Sequence, residues 1–234
     1  MYGFQKDIAE GGWAEYMKIY PNSEIYKIPD SVTFEEASLI EPMACAVHTV
    51  QRAEIEFEDV VVLAGAGTLG LSMTQLIKMK TPKKLIVLDL NEKRLELAKK
   101  HGADMVINPV KEDAIKIVKD LTDGYGCDVY IEATGSPAGV KQGLEMVRKL
   151  GRFIEFSVFG EETTTDWSVI GDRKELDIRG SHLGPYTYPV VIDLLDRGLL
   201  SAEGYVAKTY QLDNFEEALE EAHDKNNIKV LLKP

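Results

Sequence analysis

Val60-Val61-Val62-Leu63-Ala64-Gly65-Ala66-Gly67-Thr68-Leu69-Gly70 is the stretch on which the fold turns. The β-branched apolar run reads as a buried strand. It feeds a G-x-G-x-x-G loop, which opens a helix with Leu69, Met73, Leu76 and Ile77 on one face. A second apolar run, Leu85 to Leu88, then ends in Asp89, about twenty residues past the last glycine. Strand, glycine loop, helix, strand and acid in that order form a dinucleotide-binding fingerprint. A glycine-rich βα turn with a surface aspartate is the alternative meaning of the same residues.

The chemistry of a dinucleotide assigns each position a task. Gly65 permits the tight turn, Gly67 lets the backbone approach a pyrophosphate, and Gly70 lets helix and strand pack closely. With Thr68 and Leu69 at the helix start, free N–H groups at the positive end of the helix face the phosphates. Asp89 accepts from both ribose hydroxyls and repels a 2′-phosphate, so the expected cofactor is NAD and not NADP.

Working outward, the alternation of strand and helix continues. Asn91 caps a helix through Leu95 and Ala98 that stops at His101-Gly102, and Met105 to Ile107 is the third strand. Ala114, Ile115, Val118 and Leu121 mark a helix, and Val129 to Ile131 a fourth strand. Ala133-Thr134-Gly135-Ser136 then precedes a helix carrying Val140, Leu144 and Val147. Phe153 to Val158 and Leu176 to Gly180 complete six strands, which specify a doubly wound parallel sheet of the Rossmann kind. Ala133, Thr134, Ser157, Val158, Ser181 and His182 fall at expected strand carboxyl ends, where the nicotinamide half would rest. A helix through Val190 to Leu195, a strand over Val206 to Leu212, a helix over Phe215 to Ala222 and a strand near Ile228 to Leu232 follow. Before the glycine loop, Trp13 to Ile19 and Ile25 to Ile28 alternate like short half-buried strands. Thr33-Phe34-Glu35-Glu36 is a capping box, and Pro42 interrupts its helix so that another begins.

Composition narrows the partners. A net charge of -12 argues against nucleic acid or an anionic membrane surface. Two cysteines, Cys45 and Cys127, make neither a disulfide framework nor a four-cysteine zinc site and fit a reducing cytoplasm. No signal peptide is evident, and the longest apolar stretch, Val60 to Met73, is broken by glycines and too short to span a bilayer.

Longer motifs carry a resemblance. Tyr26-Lys27-Ile28-Pro29-Asp30, Phe34-Glu35-Glu36-Ala37, Leu39-Ile40-Glu41-Pro42 and Val47-His48 ahead of the glycine loop resemble the zinc-dependent medium-chain dehydrogenase/reductase family, most nearly its polyol branch. Asp123 to Val129, Glu155-Phe156-Ser157-Val158-Phe159-Gly160, Gly171 to Leu176 and His182-Leu183-Gly184-Pro185-Tyr186 are similar to erythritol/threitol dehydrogenases within it.

The resemblance implies NAD-dependent oxidation of a polyol or secondary alcohol, zinc as a second cofactor, and a homo-oligomer formed through a sheet edge. It also implies a GroES-like catalytic domain ahead of the cofactor domain. Only remnants of that domain match here, so the expectation is an N-terminally truncated chain. Residues 1–42 would be the tail of the catalytic domain, 43–200 the NAD-binding domain and 201–234 a return to the catalytic domain. Arg94 matches a family position near the adenosine ribose. Glu41 matches a glutamate that coordinates or approaches zinc, and no other catalytic residue is carried over.

Glu41, Cys45 and His48 share one helical face and are all zinc-binding types. A buried small residue and a hydrogen-bonded histidine are the other meaning of the last two. With the zinc site incomplete, the chain by itself is expected to bind NAD without full activity. Two further readings stay open, a zinc-free NAD(P)H reductase of the same superfamily and a non-enzymatic NAD-binding or assembly protein. Tyr186 and Tyr188 are candidates to face a polyol or to pack, and Glu155, a charge in a central strand, needs a partner if buried.

Overall fold

The structure is a computed structural model and describes residues 11–234. Its centre is a six-stranded, all-parallel sheet in the order β3-β2-β1-β4-β5-β6. The strands are β1 (Val60–Ala64), β2 (Lys84–Leu88), β3 (Met105–Ile107), β4 (Cys127–Glu132), β5 (Val147–Glu155) and β6 (Asp177–Gly180). The helices among them are α1 (Phe34–Ala37), α2 (Ile40–Ala53), α3 (Thr68–Met79), α4 (Glu92–Lys100), α5 (Ala114–Leu121), α6 (Pro137–Met146) and α7 (Tyr188–Asp196). Chain order reverses between β1 and β4, which defines a crevice at their carboxyl ends.

Every residue of β1 is buried because both faces of the sheet are covered. Val61 and Leu63 pack with α2, α3 and α7 through Met43, Val50, Leu71 and Val191. Val60, Val62 and Ala64 face the opposite layer, with Val118 of α5 and Leu144 of α6. Local chemistry starts these helices where the sequence places them. Thr33 and Glu36 form the capping box of α1, Asn91 Oδ1 accepts from Lys93 N and Arg94 N, and Ser136 caps α6.

Four expectations are corrected. Residues 11–28 form no strand, and Trp13 and Tyr16 are 63% and 88% exposed: among the described residues no neighbouring strand offers them a ladder. The part of the first block before residue 11 lies outside the described residues. Pro42 does not separate two helices at its own position. It sits in the first turn of α2, where its missing N–H has no partner to lose, and Glu41 is therefore inside the helix. Val147 belongs to β5 and not to α6: its backbone is extended and pairs with Cys127, so its burial mimicked helical spacing. Finally, β5 ends at Glu155, which leaves Ser157 and Val158 in the following loop, Val158 93% exposed.

The last segment forms a separate two-stranded parallel sheet, β7 (Val206–Gln211) and β8 (Lys229–Lys233), with α8 (Phe215–Ala222) between them. Tyr205, just before β7, is buried against α3, within hydrogen-bond distance of Ser72 Oγ and accepting from Gln75 Nε2. Among the described residues no helix is long and apolar enough to cross a membrane.

Candidate dinucleotide site

The glycine loop is held by contacts that admit no side chain at two of its positions. Gly65 has φ +104°, and a Cβ there would lie 2.5 Å from Ala133 O. At Gly70 a Cβ would lie 2.0 Å from Gly65 O. Gly67 differs, with nothing within 4 Å of its Cβ position. It is the N-cap of α3 and provides no side-chain cap, so the first amides of this helix keep their donors for another acceptor.

In front of Gly67 lies a cavity of about 510 Å³ in the crevice beyond β1 and β4, bounded by Gly65, Gly67, Asp89, Arg94, Ala133 and Thr134 among others. Asp89 accepts from Ala66 N at 2.7 Å through one oxygen and from Asn91 N at 2.8 Å through the other. Each oxygen retains a lone pair, and no cation among the described residues pairs with the carboxylate. Asp89 therefore both ties the loop to the end of β2 and presents acceptors to the cavity. Arg94 Nη2 donates to Lys225 O at 2.8 Å, while its buried Nε has no partner among the described residues. Open space at Gly67, uncapped amides, free acceptors on Asp89 and an unused donor on Arg94 fit a phosphate-linked nucleoside.

Glu132, the last residue of β4, went unnoticed in the sequence. Fully buried, it accepts from Thr134 N at 2.9 Å, from the Thr134 hydroxyl and from Gly135 N at 3.2 Å, so one carboxylate fixes the turn that lines the cavity. An acid closing an apolar strand ahead of Thr-Gly was the available signal. The rim residues Leu90 and Val110, 67% and 78% exposed, had no sequence signal.

Other expected site residues lie elsewhere. Thr68 turns its hydroxyl to Ile228 O at 3.1 Å, Leu69 packs on the core, and Gly70 is buried behind the loop. Ser157 Oγ donates to Glu132 O at 3.3 Å, behind the same turn. Val158, Ser181 and His182 do not line the cavity; Ser181 Oγ pairs with Thr49 Oγ1 at 3.0 Å and His182 is exposed.

On α2, Cys45 Sγ donates to Glu41 Oε1 at 3.5 Å, and burial with the neighbouring carboxylate pushes the thiol up to about 12. Tyr188, stacked on Tyr26 at 6.2 Å, faces the same pair, which raises its phenol after burial. His48 does not join them. Desolvation, then Arg52, lowers its imidazole, and no group of three His, Cys, Asp or Glu side chains converges among the described residues. Glu41 and Cys45 are two donors, short of the three or four protein ligands that zinc requires.

Residues 68–197 match the family model described as zinc-binding dehydrogenase. The chain is 44% identical over its whole length to the erythritol/L-threitol dehydrogenase of Mycolicibacterium smegmatis, and spans 65% of that relative. Two solved structures superpose on it. A short chain alcohol dehydrogenase from E. coli CFT073 complexed with NADH is 30% identical, with TM-score 0.85 over 97% of this chain and 67% of that one. The 2R,3R-butanediol dehydrogenase of Bacillus subtilis is 26% identical, with TM-score 0.87 over 96% of this chain and 65% of that one. The fingerprint, the parallel sheet order and these matches together place the chain in the zinc-binding dehydrogenase family, among the medium-chain dehydrogenases.

Proposed function

We propose that this chain is the NAD-binding portion of an enzyme that oxidises a polyol or secondary alcohol. The observation that carries the reading is that open Gly67 and uncompensated Asp89 face one cavity at the switch point of the sheet. The amides at the start of α3 hold the pyrophosphate, and Asp89 takes the adenosine ribose hydroxyls and disfavours a 2′-phosphate. Arg94 flanks that ribose. Ala133 and Thr134, held by Glu132, seat the nicotinamide end, with Ser157, Val158, Ser181 and His182 beyond them. When bound, the nicotinamide accepts a hydride from the alcohol carbon.

The polyol substrate class rests on the erythritol/L-threitol dehydrogenase relative. Glu41 approaches that substrate's side of the site but does not by itself hold zinc, so this chain alone binds NAD without appreciable turnover. Residues 1–42 and 201–234 act as parts of a catalytic unit beside the NAD-binding 43–200. The reading includes a cytoplasmic homo-oligomer formed through an exposed edge of the sheet, and no nucleic-acid or membrane partner.

Calorimetric titration with NAD and NADP, paired with an erythritol oxidation assay in added zinc, tests this. Saturable NAD binding, at least about tenfold weaker NADP binding, and no turnover are expected. Absence of NAD binding overturns the whole reading, and robust turnover overturns its catalytic half.

A further inference from the structure

A second cavity, of about 530 Å³, lies across α6 from the first. Val140 and Leu144 of this helix line it, while Ala138, Gly139 and Gln142 of the same helix line the dinucleotide cavity. Its walls are apolar and largely aromatic, built from Phe153, Phe159, Trp167, Ile170 and Ile178. Its only charged lining residues are Glu155, Glu161 and Glu162, and none has an ion-pair partner among the described residues.

Three buried side-chain atoms lack a hydrogen-bond partner among the described residues: Arg94 Nε, Glu155 Oε1 and Thr163 Oγ1. The first lines the dinucleotide cavity, where a donor is wanted for a ligand rich in acceptors. The other two line this second cavity, and both can accept. Unmet polar atoms that collect in two cavities, and nowhere else described, mark places where a ligand completes the bonding.

We propose that this second cavity binds a small hydrophobic amine, its ammonium donating to Glu155 and Thr163 and its apolar body resting against Phe153, Trp167, Ile170 and Ile178. An ammonium has three donors and no acceptor, which suits two free acceptors among uncompensated carboxylates. The aromatic walls add ring faces that attract a cation. Glu155 also pairs in register with Glu132, and burial followed by that second carboxylate raises its carboxyl above the ordinary value. A cation beside Glu155 relieves both effects. Because α6 stands between the cavities, the amine and NAD bind together.

The chain has two tryptophans, Trp13 and Trp167, so W13F leaves an indole in the cavity wall as the only reporter. Fluorescence titration of W13F with phenethylamine and with its neutral isostere phenethyl alcohol tests the site. The amine is expected to saturate about tenfold more tightly than the alcohol, a charge-assisted difference. Saturating NAD leaves that affinity unchanged. Adding E155Q brings the amine to the level of the alcohol while the alcohol is unaffected. If E155Q loses the alcohol as well, T163V supplies the same reading: weakened amine with alcohol retained supports the site. No saturation by the amine, equal affinity for amine and alcohol, displacement by NAD, or an amine affinity untouched by both substitutions overturns it.

Discussion

At the amino-terminal edge of the sheet, Asp59, Asp104 and Asp128 each take a backbone N–H and a basic side chain. At the carboxyl-terminal edge, Asp89 and Glu132 take, among the described residues, only N–H groups and a hydroxyl. The partners at the first edge are Arg152 on Asp59 at 2.6 Å, Arg148 on Asp128 at 2.6 Å and Lys78 on Asp104 at 2.8 Å. One residue type thus serves two ends. Where charge is neutralised by a cation the edge holds strands together, and where it is met by dipoles the carboxylate orders a loop, with Asp89 alone of the two bordering the cavity. Cation-paired acids tie one edge together, and the other edge borders the proposed dinucleotide cavity.

Substitutions that treat the edges alike test this division. G67V should produce the largest effect. A side chain there meets no protein atom but enters the cavity, so NAD should bind at least about a hundredfold more weakly with an unchanged melting temperature. A large fall in melting temperature would merge the two edges. R152A leaves Asp59, 8% exposed, without its cation, and should cost about 3 kcal/mol in denaturant unfolding with NAD affinity preserved. Lost NAD affinity in folded R152A would break the comparison from the other side.

D89S removes the acceptor for the ribose and the repulsion of a 2′-phosphate. The NAD-to-NADP affinity ratio should fall by about tenfold or more in paired titrations. An unchanged ratio would remove Asp89 from recognition. The smallest effect belongs to Glu155, the third acid at the carboxyl edge. Its folded pKa lies above the ordinary 4.5 because burial, then Glu132, disfavours the charged form. The folded state therefore holds the proton more tightly than the unfolded chain, and stability falls as pH rises from the ordinary value through the raised one. E155Q should flatten that fall and leave the ligand-free protein slightly more stable at neutral pH; a pH series of unfolding midpoints with no difference would refute it.

The elements around the glycine loop were legible because their signals are local. β1, α3 and β2 follow from an apolar run, a glycine pattern and helical spacing, and α1 and α4 from their own capping residues. Residues 11–28 misled because alternation states a preference for a strand, and only a neighbouring strand can satisfy it. Val147 misled because burial was correctly inferred but spacing could not say whether a helix or a strand supplied it.

The same boundary runs through the site. Gly65, Gly67, Gly70 and Asp89 stand out in the sequence because the roles expected of them depend on backbone conformation and on a fixed distance along the chain, and the expected cofactor rests on them. Tertiary structure alone decided that Glu132 fixes the Thr134 turn and, among the described residues, that Gly67 faces open space and that Arg94 meets Lys225 while its Nε has no partner. It also decided that His48 stays apart from Glu41 and Cys45. These depend on strand order, helix rotation and contacts between segments far apart in the chain, and a side chain's partner across such a distance is set by packing that no local pattern encodes.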